Sequence, residues 1–420
     1  MKLNQIPAAW WSFLAAVALT CALFPGRMGW GTYSPAGLVL VSLAAGLCVA
    51  AIWPGSPAVI CFATQHSLWP KFWAAVVVFV ALALYAVRIT PAEQTDVYLW
   101  QRDAVAAFLH GMDPYAITHE NIFGAKSSYF YPPGVVSNGR VHFGLAYPPL
   151  SMLMSVPGYL AGDLRYSDIA ALVATAILMF RVRSSRFSLI AAAILLLSPA
   201  TFYLVSRGFS EPFVVLTLAC TVVAAEKRSR WLPLALAAFI SSKQYAVLAL
   251  PFAGFLIPGC TWKNYVKLVA IAILASLVLC LPFVIWSPHH FWKDLVAYNL
   301  ILPFRPDSLS FSVLTARLGW GPVPPAVLAL AVLSACALCL AKARRTAGMF
   351  ANCFALVFLF LLALHKQAFI NYYFTVIGAL LVATVAGQGQ GMPNIHGERV
   401  AATSASSSSL SCLQAARLKL

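Results

Sequence analysis

The sequence predicts an all-α fold, a polytopic transmembrane helical bundle of about twelve spans, and three observations lead there. Hydrophobic residues make up 61% of the 420, charged residues only 10%, and the mean hydropathy is +0.82. Soluble domains average about 25% charged residues and cannot hide so much apolar surface from water. Apolar stretches long enough to cross about 30 Å of hydrocarbon recur along almost the whole chain. The net charge is +16, and many of the basic residues sit in short clusters between those stretches.

The stretches fall near residues 8–24, 33–53, 71–89, 147–161, 166–181, 187–206, 210–226, 231–257, 265–286, 322–341, 347–365 and 369–386. The first is read as an uncleaved helix, because a second apolar span follows it at once. The stretch 231–257 is long enough for a helix hairpin or a re-entrant pair, and Ser241, Ser242, Lys243 and Gln244 interrupt its middle. Residues 387–420 form a Gly/Ser-rich tail that reads as disordered and cytoplasmic. The domain division is then 1–69 for leading helices, 70–386 for the main transmembrane domain, and the tail.

The basic clusters Arg181/Arg183/Arg186, Lys227/Arg228/Arg230, Lys263/Lys267 and Lys342/Arg344/Arg345 match cytoplasmic loops under the positive-inside rule. This placement argues against nucleic acid as a partner and for membrane lipids. It also puts loops 90–146 and 287–321 outside. Those loops, with Glu211, hold eight of the twelve acidic residues. The parity between residues 146 and 181 balances if the segment Tyr147 to Ala161 does not fully cross or if Arg181 to Arg186 is external, and the first reading is preferred because that segment is short and rich in proline. Cys336 and Cys339 form a CxxC within an apolar run that has no second pair, so they read as small packing residues.

The first outer loop is about 57 residues long, a length at which loops tend to be functional. Thr95 can cap a helix that Gly111 ends. Val97, Trp100, Ala104, Val105, Phe108 and Leu109 share one face of it, which predicts an interfacial helix with that face in lipid. Asp96 stands at its first turn and Asp103 two turns on. At Asp96 the ordinary reading is a favourable charge at a helix N-terminus. The proline-flanked aromatics Asp113-Pro114-Tyr115, Tyr129 to Pro133 and Tyr147-Pro148-Pro149 mark turns, and could also present Tyr115, Tyr131 and Tyr147 to a sugar. His119-Glu120 lacks metal-site spacing, and His289-His290 reads as an interfacial anchor. No DxD occurs, and the sequence assigns no metal and no cofactor.

An Asp just beyond a transmembrane helix, the GxDPY run Gly111 to Tyr115, and YPPL at Tyr147 to Leu150 together resemble a known family. It is the C-type (GT-C) membrane glycosyltransferases, and most similar are the polyprenol-phosphate-mannose-dependent mannosyltransferases of the phosphatidylinositol-mannoside type. The resemblance spans roughly residues 70–386. It implies an inverting hexosyltransferase that takes mannose or another hexose from a polyprenyl-phosphate-linked donor. The acceptor would be a lipid or glycan, and the site would face outward from a multi-pass cell (inner/plasma) membrane protein. Asp96 matches the family's loop carboxylate and would act as general base. Asp113, Tyr115, Tyr131, Tyr147 and Tyr372 would contact substrate.

A departing lipid phosphate needs positive charge. The candidates are Arg207, Lys243, Arg305, His365 and Lys366, the last two followed closely by Asn371, Tyr372 and Tyr373. Two other classes stay open at this stage: a transporter or flippase of a lipid-linked glycan, and a non-enzymatic envelope-assembly membrane protein.

Overall fold

A computed structural model describes residues 7–23, 33–52, 66–91 and 95–387, so the expected disordered tail lies outside the described residues. Two leading helices, α1 (Ala8–Leu23) and α2 (Pro35–Ile52), precede α3 (Trp69–Ile89) and the loop helix α4 (Asp96–Leu109). The first outer loop continues through a one-turn α5 (Ser127–Phe130) and a small antiparallel sheet. In that sheet β3 (Arg140–Val141) lies between β1 (His119–Glu120) and β2 (Val136–Ser137). Then come α6 (Pro149–Leu160), α7 (Arg165–Val182), α8 (Arg186–Leu197), α9 (Pro199–Arg207), α10 (Glu211–Glu226) and α11 (Leu232–Ile240). A 3₁₀ segment, Gln244–Leu256, leads to α12 (Trp262–Trp286). The second outer loop carries α13 (Pro288–Trp292), α14 (Tyr298–Ile301) and α15 (Phe311–Arg317). The chain closes with α16 (Pro325–Lys342), α17 (Ala347–Leu364) and α18 (Ile370–Ala386).

Local chemistry sets these boundaries. Thr95, Ser185, Ser198, Thr261 and Thr346 each accept a backbone N–H of the following turn, satisfying a donor that the helix start leaves open. Proline opens α2, α6, α9, α13 and α16, where its missing N–H costs nothing. Each of the twelve apolar stretches becomes a helix or a broken pair of helices. The interruption at residues 241–243 is real: α11 stops there and the chain restarts as a 3₁₀ helix. A second break at Ser198 bends α8 against α9 by 43°.

The span count is lower than twelve when judged by length and composition. Among the described residues five helices suffice to cross (α2, α3, α12, α16 and α17), and α8 with α9 makes a sixth if the bent pair is one span. The 12-residue α6 reaches only about 18 Å at 1.5 Å per residue, short of a bilayer.

The helix α17 sits at the centre and is mostly buried, whereas α12 and α16 are the outermost. They expose Leu274, Leu277, Val278, Leu330 and Leu333. In water such a continuous apolar surface would drive association, and lipid covers it without cost. Polar links tie the leading helices to the centre: Ser12 donates to Asn352 Oδ1 at 2.8 Å, and Asn352 Nδ2 donates to the Cys48 carbonyl at 3.4 Å. Such buried amides hold helices together where lipid gives no hydrophobic drive.

One expectation fails. Most of the apolar face of α4 does not lie in lipid, because Val97, Trp100, Ala104 and Val105 are buried in protein and the helix packs on α6, while Phe108 is half-buried and only Leu109 of the six is exposed. The first loop folds back over this face, and His119, whose Nδ1 lies 2.9 Å from Asp103 Oδ2, pins it there.

Candidate active site

The two outer loops and the broken helix meet at one short stretch, residues 144–147. Gly144 N–H donates to Asp294 Oδ2 at 2.6 Å, and Gln244 Nε2 donates to the Ala146 carbonyl at 2.6 Å. Tyr115 Oη donates to the Tyr147 carbonyl at 2.8 Å. His119 Nε2 lies 3.1 Å from the Gly144 carbonyl, so Gly144 is bonded through both its N–H and its carbonyl. Gly144 is glycine because a Cβ would meet the Tyr115 carbonyl oxygen at 2.5 Å and that of Pro114 at 2.6 Å. Gly144→Ala must push backbone against backbone, so the variant is expected to lose about 1–3 kcal/mol or more of stability. Thermal unfolding in detergent checks this, and a variant as stable as the parent would refute the clamp.

Held this way, Tyr147 forms one wall of a cavity built from the ends of α4, α9, α14 and α18 and the loops beside them. Asp96, Arg305, Asn299, Asn371 and Gln367 supply its polar groups, and Trp100, Phe130, Tyr203, Tyr298, Phe369 and Tyr372 its aromatic walls. The space between these atoms is about 790 Å³, part of it open to the surroundings.

Asp96 occupies the first position of α4 because Thr95 caps it, and the Thr95 hydroxyl also donates to the Arg207 carbonyl at 2.8 Å. Asp96 Oδ1 accepts Val97 N–H at 2.9 Å. Its side chain is deeply set yet still reached through the cavity. Burial raises its pKa to about 6, while the Val97 bond and the charge of Arg305 hold it down. A carboxyl poised there is a far better proton acceptor near neutral pH than an ordinary aspartate.

Arg305 reaches the same cavity along a different path. Its N–H donates to the Lys366 carbonyl at 3.2 Å, and Leu309 N–H donates to the Ala368 carbonyl at 3.0 Å, so the second loop runs beside the α17–α18 linker. The guanidinium is buried among the rings of Tyr129, Phe130 and Phe369, 4.5–4.7 Å from their centres. Asp307 holds it through two bonds of 2.9 and 2.8 Å. Planar, stacked and bridged, it is fixed before any ligand arrives.

A second cavity adjoins the first and shares Tyr147, Asn299, Leu302, Gln367 and Tyr372 with it; Lys243 and His365 line it. Lys243 Nζ stands 3.5 Å above the Tyr147 ring and 3.2 Å from Glu211 Oε1. Asn371 Nδ2 donates to the same oxygen at 2.9 Å. Burial pushes the His365 imidazole below its usual range.

The remaining expected site residues stand elsewhere. Lys366 lines neither cavity; its Nζ donates to the Leu300 carbonyl at 3.3 Å. Arg207 packs its guanidinium 5.8 Å from the Tyr203 ring, outside both cavities. Asp113 Oδ1 accepts Tyr115 N–H at 3.0 Å and so shapes the turn, and Tyr115 itself is fully buried beneath residue 147. Tyr131 is buried against Phe123 and Phe143. Tyr298, Asn299 and Gln367 were not singled out from sequence. The only signal for them was their position in the second loop and the linker that supply the basic candidates.

No family model matches this chain, and no curated protein matches it. Among the solved structures that resemble it in part are two of one protein. One is ArnT from Cupriavidus metallidurans bound to undecaprenyl phosphate, at 15% identity and a TM-score of 0.48. The other is the same protein in the apo state, at 16% and 0.47. Each match covers 79% of this chain and 63% of that one, so the chain spans less than two thirds of their length. By its own helices and cavity the chain is a multi-pass helical membrane protein, with a carboxylate and a caged guanidinium facing one aromatic pocket.

Proposed function

We propose that this protein is a glycosyltransferase that moves a hexose, mannose being the first to test, from a polyprenyl-phosphate donor to a hydroxyl of a lipid or glycan acceptor. The observation that carries the reading is the shared cavity of Asp96 and Arg305. The site faces outward from the cell membrane, since the basic clusters lie at the other end of the helices.

The chemistry is an inverting displacement. The acceptor oxygen attacks the anomeric carbon, its proton passes to Asp96, and the bond from that carbon to the phosphate oxygen breaks. The electron pair leaves with the lipid phosphate, and Arg305 stabilises the charge that develops there. Tyr372 and Tyr147 offer ring faces and hydroxyls to the sugar, and Asn299, Gln367 and Asn371 offer amides to its hydroxyls. Lys243 and His365, in the adjoining cavity, contact the donor only if its phosphate reaches past Tyr147.

The test is sugar transfer in membranes with a polyprenyl-phosphate mannose donor and extracted lipids. Arg305→Ala is expected to weaken donor use by roughly 10- to 150-fold, the loss of a charged hydrogen bond worth about 1.5–3 kcal/mol. Lys366→Ala, which removes a cation outside both cavities, is expected to leave donor kinetics near those of the parent. The opposite ranking would move the phosphate site to the linker, and no transfer from any polyprenyl-phosphate sugar would sink the reading.

A further inference from the structure

A third cavity lies at the opposite end of the bundle. The 25-residue α12 covers about 37 Å from Trp262 to Trp286, and the loop bearing Arg305 follows its far end. Likewise α17 begins just after Arg345 and ends just before Gln367 of the active-site cavity. Between the starts of α12 and α17 runs a groove with Gly254 and Phe255 of the 3₁₀ segment at its base. Trp262 and Tyr265 form one side, and Leu340 and Arg345 the other. Its space is about 920 Å³, open mouth included.

The groove is amphipathic along its length. The Trp262 and Tyr265 rings stack with centres 5.3 Å apart, and Tyr265 Oη donates to the Leu250 carbonyl at 3.3 Å, which fixes the pair. Trp262 is 75% exposed, an arrangement that suits an indole at headgroup depth. Beyond the rings the flanking helices turn outward-facing leucines to lipid. Arg345 lines the groove and is exposed, and Lys263, Lys267 and Arg344, exposed as well, belong to the same two helix ends. No Asp or Glu occurs between Glu226 and Asp294, nor between Asp307 and Glu398, so neither flanking helix carries an acid to neutralise them.

From this charge and shape we infer that the groove is a binding site for one anionic phospholipid. Its phosphate lies on the Arg345 guanidinium, its glycerol region rests against Trp262 and Tyr265, and an acyl chain follows Phe255 and Leu340 between α12 and α16. Basic pockets between transmembrane helices recognise lipid phosphates in this way, and a planar guanidinium can hold two phosphate oxygens at once. The inference rests on the membrane fold alone and stands whether or not the other end transfers sugar.

Native mass spectrometry of the full chain tests it, in detergent micelles carrying equal phosphatidylglycerol and phosphatidylcholine. The parent is expected to retain phosphatidylglycerol selectively. Arg345→Gln is expected to cut that retention roughly tenfold, the loss of a charge-assisted contact. Leu340→Trp, which fills the apolar part and keeps every charge, is expected to lower retention as well. Arg181→Gln, in another basic cluster, should change nothing. Equal retention of both lipids by the parent overturns the proposal. So does an equal loss in Arg181→Gln, which would mean surface charge without a site, or full retention in Leu340→Trp. If Arg345→Gln does not fold, the Leu340→Trp and Arg181→Gln pair decides the question alone.

Discussion

Asp96→Asn is expected to slow sugar transfer by about 100- to 10,000-fold, the usual contribution of a positioned general base. Asparagine keeps an oxygen for Val97 N–H, so the N-terminus of α4 stays satisfied and the protein level should not change. The pH profile supplies the sign. Burial disfavours the charged carboxylate and places its pKa near 6, so the base is ionised above that value and protonated below it. Parent activity should therefore fall about tenfold per unit as pH drops below 6, with the residual activity of Asp96→Asn flat across the same window. Removing the Arg305 charge withdraws one of the influences that hold this pKa down. The acid limb of Arg305→Ala should then move to higher pH. Rates for Asp96→Asn equal to the parent, or an acid limb that survives the substitution, would end the assignment of Asp96 as base.

The second large effect concerns Lys243 and Glu211. Both are almost wholly buried, and Glu211 Oε1 receives Lys243 and Asn371 together. Taking away one partner leaves an uncompensated charge in a medium that cannot solvate it, which costs about 3–5 kcal/mol. Lys243→Ala should thus lower the unfolding temperature sharply. The double change Lys243→Met with Glu211→Gln removes both charges and keeps an acceptor for Asn371, so it should recover most of the loss. A lysine present only to meet a ligand gives a different pattern. The single change would then be as stable as the parent, and the second substitution would restore nothing. Unfolding in detergent without substrate separates the two roles.

How far this was legible from sequence depends on the range of the signal. Apolar length is a local property, so all twelve stretches became helices or broken helices, and the polar quartet at residues 241–244 marked its break. The pairing of Thr95 with Tyr98 N–H was equally local. Periodicity on α4 correctly picked the covered face and could not say what covers it, since lipid and protein ask for the same side chains. Among the basic candidates the sequence favoured His365 and Lys366, beside Asn371 and the tyrosines, over Arg305, and nothing in it could show where each side chain turns. The backbones of Lys366 and Arg305 touch, yet one side chain turns to the Leu300 carbonyl and the other into the cavity. Asn299 and Gln367 are neutral amides in irregular chain, and nothing in their spacing distinguishes them from any other loop residue. Lys243 stood out as a cation far from water, and its partner Glu211, 32 residues earlier, could be paired with it only in three dimensions.

The bond from Gly144 to Asp294 joins residues 150 apart in sequence, and it fixes when in the life of the chain the cavity can close. Ribosomes add about 5–20 residues per second, so roughly 8–30 seconds separate the emergence of the two partners. During that interval α4 and its loop have already been made while α6 to α12 are still being inserted, and Arg305 and Tyr372 come later still. Asp96 therefore waits in an open loop until nearly the whole chain exists. Maturation of the site is among the last events of biosynthesis, and a nascent chain truncated between α4 and α18 carries the carboxylate without the complete pocket around it.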